Sequence, residues 1–106
     1  MNILLACNGG VSTGLIADKI ENYAKENGMD VKAWAVDYGQ VTEEVENEKV
    51  DVILIGPQIS YKLKSLQNDL KGRNIKIATM GFSDYGTMNV ANIIKTAQKL
   101  MEENNG

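Results

Sequence analysis

The 106-residue chain contains no histidine. That absence removes the most frequent general base and the most frequent metal ligand. A single cysteine, Cys7, leaves no disulfide to close within the chain and no C-x-x-C pair for a metal or a dithiol. One proline and ten glycines exclude proline-rich and collagen-like material. Basic excess is lacking too: 11 Lys+Arg against 14 Asp+Glu give a formal net charge of −3. No global positive field exists to attract nucleic acid or an anionic lipid surface. The opening Met1-Asn2-Ile3-Leu4-Leu5-Ala6-Cys7 has no basic stretch like that of a signal peptide, and its apolar run is far too short to span a bilayer. The expectation is a cytoplasmic protein without metal or cofactor. Any transferable proton or group must then involve Cys7, a carboxylate, a hydroxyl, or something a partner brings.

What is present suits one globular domain over 1–106, with 43% hydrophobic and 24% charged residues. At this mass, area scaling predicts that roughly 65% of the unfolded surface is buried, enough for a core without staples. Short apolar runs alternate with helical patterns. Residues 3–6, 31–36, 52–55 and 75–78 read as strands, the first and third almost continuously apolar, as strands buried on both faces should be. Ile16, Ile20 and Tyr23 mark a first helix that stops before Gly28. Residues 40–49, anchored by Val41 and Val45, form a weaker helix. Ile59, Leu63, Leu66 and Leu70 make a stripe ending near Gly72, and Val90, Ile93, Ile94, Ala97, Leu100 and Met101 make the last one. Four βα units predict an α/β fold with a doubly wound, four-stranded parallel sheet in the flavodoxin-like order 2-1-3-4. The order reverses between strands 1 and 3, where open α/β sheets bind ligands. The loops after those strands, at Cys7 to Thr13 and Gly56-Pro57-Gln58, are expected to meet there.

Cys7-Asn8-Gly9-Gly10-Val11-Ser12-Thr13-Gly14 joins an apolar strand to an amphipathic helix. Gly9 and Gly10 allow successive N–H groups to turn inward as an anion nest, and the helix start favours negative charge. A cysteine at that place, just past the strand end, is stabilised as a thiolate. The bland alternative is a buried small hydrophobe in a plain tight turn with Ser12 or Thr13 as a cap. Competing loop types fail on named residues. A Walker loop needs a lysine before Lys19, and the glycines miss G-x-G-x-x-G. In the phosphatase pattern C-x5-R-S/T, the arginine position holds Thr13, and the chain's single arginine is Arg73.

Two motifs together resemble a known family. C-x-x-G-x-S-T is matched by Cys7, Gly10, Ser12 and Thr13, and Leu54-Ile55-Gly56-Pro57-Gln58-Ile59 followed by Tyr61 is similar to the G-P-Q-I-x-Y stretch of cellobiose-type members. The family is the enzyme IIB components of the lactose/cellobiose class of the bacterial phosphoenolpyruvate-dependent sugar phosphotransferase system. Length and βα order agree across essentially the whole chain, while Asn8-Gly9 and Gly14 depart from the cellobiose-type pattern. The resemblance implies a phosphotransferase working as a phosphoryl carrier. Cys7 would accept the group from a phosphohistidine of a IIA protein and donate it to a sugar held by the membrane-embedded IIC permease. It also implies a phosphoryl-binding loop of Asn8, Gly9, Gly10, Val11, Ser12 and Thr13, and a location peripheral to the membrane through IIC. Gly56, Pro57, Gln58 and Tyr61 would form a second loop or partner rim, which Asp84 and Tyr85 extend or merely flank as a turn. Two alternatives stay open: a low-molecular-weight cysteine-phosphatase-like enzyme, and a non-catalytic thiol redox or binding module.

Outside these loops the expectations are plain. Trp34 reads as a packed aromatic inside strand 2. Glu43, Glu44, Glu46 and Glu48 read as a solvated acidic face. Met80 and Met88 read either as core filling or as an adaptable surface near the site.

Overall fold

β1 (Asn2–Cys7) organises the molecule because its apolar run leaves no polar side for solvent: Ile3, Leu4, Leu5 and Ala6 are all fully buried. The computed structural model describes residues 1–9 and 11–103. In it β1 pairs in parallel with β2 (Lys32–Asp37) on one side and β3 (Val52–Ile55) on the other, and β4 (Lys76–Thr79) completes the order β2-β1-β3-β4 beyond β3. The doubly wound 2-1-3-4 sheet expected from the sequence is therefore the one observed. Its register sets Cys7 beside Asp37 and Ala6 beside Ile55.

The pleat divides the core in two. Ile3, Leu5, Val52 and Leu54 face α1 (Val11–Glu26) and, at the end of the described chain, α5 (Val90–Glu102), whose Ile93, Ile94 and Ala97 complete that layer. Leu4, Ala6, Ile53 and Ile55 face α2 (Val41–Asn47) and α3 (Leu63–Asp69), where Val41, Leu66 and Leu70 close the second layer. Strands buried on both faces need this double cover, which explains their lack of polar alternation. The outer strand β2 is managed by side chains. Glu21 of α1 accepts the Ala33 N–H at 3.0 Å, and Glu44 of α2 accepts the Trp34 indole N–H at 2.6 Å. Trp34 is thus packed, and Glu44 leaves the solvated face to which Glu43, Glu46 and Glu48 belong.

Three details differ from the sequence reading. Cys7 is the last residue of β1 instead of lying beyond it, because its backbone still pairs with Asp37. The stripe 59–70 is not one helix. A 3-10 segment, Pro57–Lys62, precedes α3, and Ile59 (φ −118°, ψ 28°) breaks the helical geometry between Pro57 and Leu63 while keeping its side chain buried. The segment after β4, expected as loop or turn, forms a short helix, α4 (Phe82–Gly86). Met80 is core filling at 3% exposure, and Met88 packs against the same core layer.

Leu54 lies in the middle of β3 with no exposed surface. Truncation there leaves a cavity that the two flanking strands cannot collapse to fill. Leu54→Ala should therefore lower unfolding free energy by about 3 kcal/mol, read as a lower denaturant midpoint at unchanged m-value.

Candidate functional site

The carboxyl ends of β1, β2 and β3 bring together the residues on which the sequence reading converged. Cys7 is 7% exposed, and Asn8 and Gly9, which follow it, are exposed. Gly9 has φ +71°, a left-handed conformation in which a side chain is strained, so glycine is needed for the chain to turn from strand to helix. Gly10 lies outside the described residues. Val11 opens α1, followed by half-buried Ser12 and fully buried Thr13. The first turn of α1 carries no acidic residue, so its positive end and unpaired N–H groups are not neutralised from within the helix. Thr13 Oγ1 has no hydrogen-bond partner among the described residues.

The second loop does come up against the first. Gly56 N–H donates to the Ala6 carbonyl at 2.9 Å, carrying the β1–β3 ladder one step past the end of β3. A methyl group on Gly56 would lie 3.6 Å from Cys7 Cβ and 3.1 Å from Gln58 Oε1. Absence of a side chain at 56 thus lets the Gln58 amide and Cys7 share one corner. Pro57 is buried as the first residue of the 3-10 segment and fixes the exit from the strand. Tyr61 stands 75% exposed on the rim, with the Lys62 ammonium 6.0 Å from its ring centre and 4.5 Å from that of Tyr38. This cation–π clasp connects the segments that follow β2 and β3.

Asp84 and Tyr85 are placed differently. Tyr85 packs against the α1/α5 layer. The Asp84 carboxylate accepts from the Asn92 side chain at 3.1 Å, and its carbonyl accepts the Asn89 N–H at 2.9 Å. Both residues tie α4 to the start of α5. Phe82, at 73% exposure, is the large apolar side chain that this segment presents to solvent.

Two residues of the site were not anticipated. A hollow of about 290 Å³ beside Cys7 is lined by Gly9, Gly14, Ala35, Val36, Asp37 and Gln40. Asp37 Oδ1 accepts the Gly9 N–H at 2.7 Å, while Gln40 Oε1 accepts the Asp37 N–H at 3.2 Å in a reciprocal capping box. The D-x-x-Q spacing signals that box, and the β1–β2 register puts it next to the cysteine. A larger hollow, about 720 Å³, runs along the outer edge of β2 between α1 and α2. Leu15, Trp34, Glu21 and Glu44 are among its lining residues, and Cys7 is not. The chain's single cysteine lines the smaller hollow.

The arrangement offers a thiol, a helix start and a glycine-shaped loop, with no fixed guanidinium. Arg73 sits in the connection entering β4, at the opposite edge of the sheet, and is ion-paired with Glu46. Among the described residues no group of three or more Cys, Asp or Glu side chains is placed to hold a metal ion. No helix among them is long and apolar enough to cross a membrane.

Comparison with known proteins identifies the family. The oligo-beta-mannoside-specific EIIB component of Bacillus subtilis (strain 168) is 35% identical over 99 residues, covering 93% of this chain and 94% of that one. The solution structure of a cellobiose-specific phosphotransferase IIB component from Borrelia burgdorferi superposes with a TM-score of 0.76 at 34% identity, over 95% of this chain and 91% of that one. A lactose-specific EIICB component of Streptococcus mutans is 29% identical over 84 residues, 79% of this chain and 14% of its own length. Residues 2–96 match the family described as PTS system, lactose/cellobiose specific IIB subunit. This chain belongs to that family of sugar phosphotransferase system subunits.

Proposed function

We propose that the span 1–106 works as one phosphoryl-carrier domain in which Cys7 is the carrier atom's residue. In the accepting step the P–N bond of a phosphohistidine on a IIA protein breaks and an S–P bond forms at Cys7 Sγ. The thiol proton ends on the imidazole nitrogen that is released. In the donating step the S–P bond breaks as a hydroxyl of a sugar bound by the IIC permease takes the phosphoryl group, and the hydroxyl proton returns to the thiolate. Atoms and charge balance without a cofactor. The domain acts in the cytoplasm, held at the membrane only through IIC, and the joint IIC–IIB name of the lactose-specific relative supports that pairing.

The observation that carries this reading is the position of Cys7. It ends the central strand two residues before Gly9, in its left-handed conformation, and close to the start of α1, whose first turn carries no acidic residue. Backbone N–H groups of the loop Asn8 to Thr13 would receive the phosphoryl oxygens, and the Thr13 hydroxyl brings hydrogen-bonding capacity that is otherwise unused. Gln58 supplies an amide at the same corner, while Gly56 and Pro57 shape it. Tyr61 and Phe82 form exposed parts of the surface that meets a partner, and Asp84 and Tyr85 support that rim from behind. The phosphatase alternative asks for a fixed cation against the phosphoryl group, and Arg73 is committed elsewhere.

If Cys7 is the carrier, Cys7→Ser should keep the fold, with stability changed by about 1 kcal/mol, and should abolish phosphorylation by a phosphorylated IIA protein. Intact mass measurement reads the result. A full gain of about 80 Da, one phosphoryl group, located at a residue other than 7 in the serine variant would exclude Cys7.

A second expectation concerns the phosphorylated protein alone. With backbone donors but no guanidinium, charge developing in the transition state is incompletely stabilised until a partner docks. Loss of phosphate from the isolated phosphoprotein at neutral pH should then be roughly 10²–10³-fold slower than transfer in the complex with IIC and sugar. Aryl phosphates should turn over poorly. Equal rates with and without partners, or rapid aryl phosphate hydrolysis, would favour the phosphatase reading.

A further inference from the structure

The loop that is shaped for an anion already holds one. Gly9 N–H, two residues beyond the sulfur, donates to Asp37 Oδ1 at 2.7 Å, within the range of short, charge-assisted hydrogen bonds. Asp37 is not a loop residue swinging past by chance. It is the last residue of β2 and the register partner of Cys7, and Gln40 holds its backbone N–H. Its side chain is exposed, so water can take over the carboxylate when the contact breaks.

We propose that Asp37 is a positioning residue of the phosphoryl site: its carboxylate occupies the Gly9 amide while Cys7 is unmodified and is displaced when Cys7 is phosphorylated. This rests on the assignment of Cys7 as the carrier. In the unmodified protein the carboxylate stands in for the phosphoryl oxygens and keeps the Gly9 N–H turned inward with φ at +71°. The loop then needs no rearrangement to receive a phosphoryl group. After transfer, a phosphoryl dianion and a carboxylate compete for one donor, and only one of them can hold it. The loser remains nearby as a like charge, anchored by the sheet register. Like charges at such range disfavour the doubly charged arrangement. Asp37 therefore opposes accumulation of phosphocysteine and favours its onward transfer, without touching the sulfur or the phosphorus in any bond-making step. The S–P bond still forms and breaks as written above, with the same proton balance.

The test is the equilibrium of phosphoryl transfer between a phosphorylated IIA protein and this chain, measured by intact mass for the wild type and three variants. Asp37→Asn keeps an oxygen acceptor for Gly9 N–H and a good helix cap while removing the charge. The ratio of phosphorylated to unmodified protein should rise about tenfold at fixed donor ratio, equivalent to about 1.4 kcal/mol. Asp37→Ser, also a cap without charge, should shift the ratio in the same direction, and serves if the asparagine variant folds poorly. Asp37→Glu retains the charge and should bring the ratio back toward the wild-type value. A merely structural role for Asp37 would alter thermal stability and leave the ratio of the folded protein where it was. An unchanged ratio in the asparagine or serine variant, with the wild type phosphorylated normally, overturns the role of Asp37 alone. A glutamate variant shifted as far as asparagine also overturns it, because charge would not be the cause. A wild type that takes no phosphoryl group on Cys7 would instead overturn the carrier assignment itself.

Discussion

Everything at the site depends on β1 being hydrogen-bonded on both sides. Its ladder to β2 fixes Cys7 beside Asp37, and its ladder to β3 continues past Ala6 into the Gly56 N–H. A strand so paired cannot slide, because a one-residue shift would exchange the apolar sets that face the two helical layers. Ile3 and Leu5 point to the α1/α5 layer, Leu4 and Ala6 to the α2/α3 layer. The same alternation directs Cys7 toward the α1 side, under the helix whose first turn carries no acid. Burial of the strand thus sets the address of the thiol to within one residue.

That constraint leaves the loops free to specialise. Gly9 turns the chain sharply out of β1, and Gly56 withholds a side chain that would crowd the Gln58 amide beside Cys7. Neither glycine contributes side-chain contacts, only its backbone N–H, to Asp37 and to Ala6 respectively. Each allows two backbones, or a backbone and an amide side chain, to approach one corner. The Lys62 clasp on Tyr38 and Tyr61 then links the segments after β2 and β3 on the outside of that corner.

Much of this was legible from residue order. Continuous apolar runs at 3–6 and 52–55 mark the central strands, because only burial on both faces tolerates them. The loop glycines locate the turn after β1. What periodicity could not show was the break at Ile59: its side chain keeps the spacing of a helical stripe while its backbone leaves helical geometry after Pro57. Burial decides which residues are apolar, and a 3-10 segment followed by a helix buries nearly the same ones. Asp37 escaped for another reason. Its meaning comes from a neighbour thirty positions away in sequence, and only the β1–β2 register makes them adjacent. Glu44 likewise belongs to an acidic run by composition and to Trp34 by packing.

A carrier must meet a requirement that a hydrolase does not: its phosphorylated form has to be neither so stable that the group stays nor so labile that water takes it. A fixed guanidinium would push both ways, holding the ground state and assisting attack by water. The chain places its arginine at the opposite edge of the sheet, where Glu46 engages it. At the thiol it keeps neutral donors, the backbone amides and the helix start, which bind an anion more weakly than a cation does. In the proposed relay the Asp37 carboxylate, held against the Gly9 amide by the strand register, sets the balance from the other side. In that relay, attraction by dipoles and repulsion by one nearby charge would together give a site that accepts a phosphoryl group readily and has reason to pass it on.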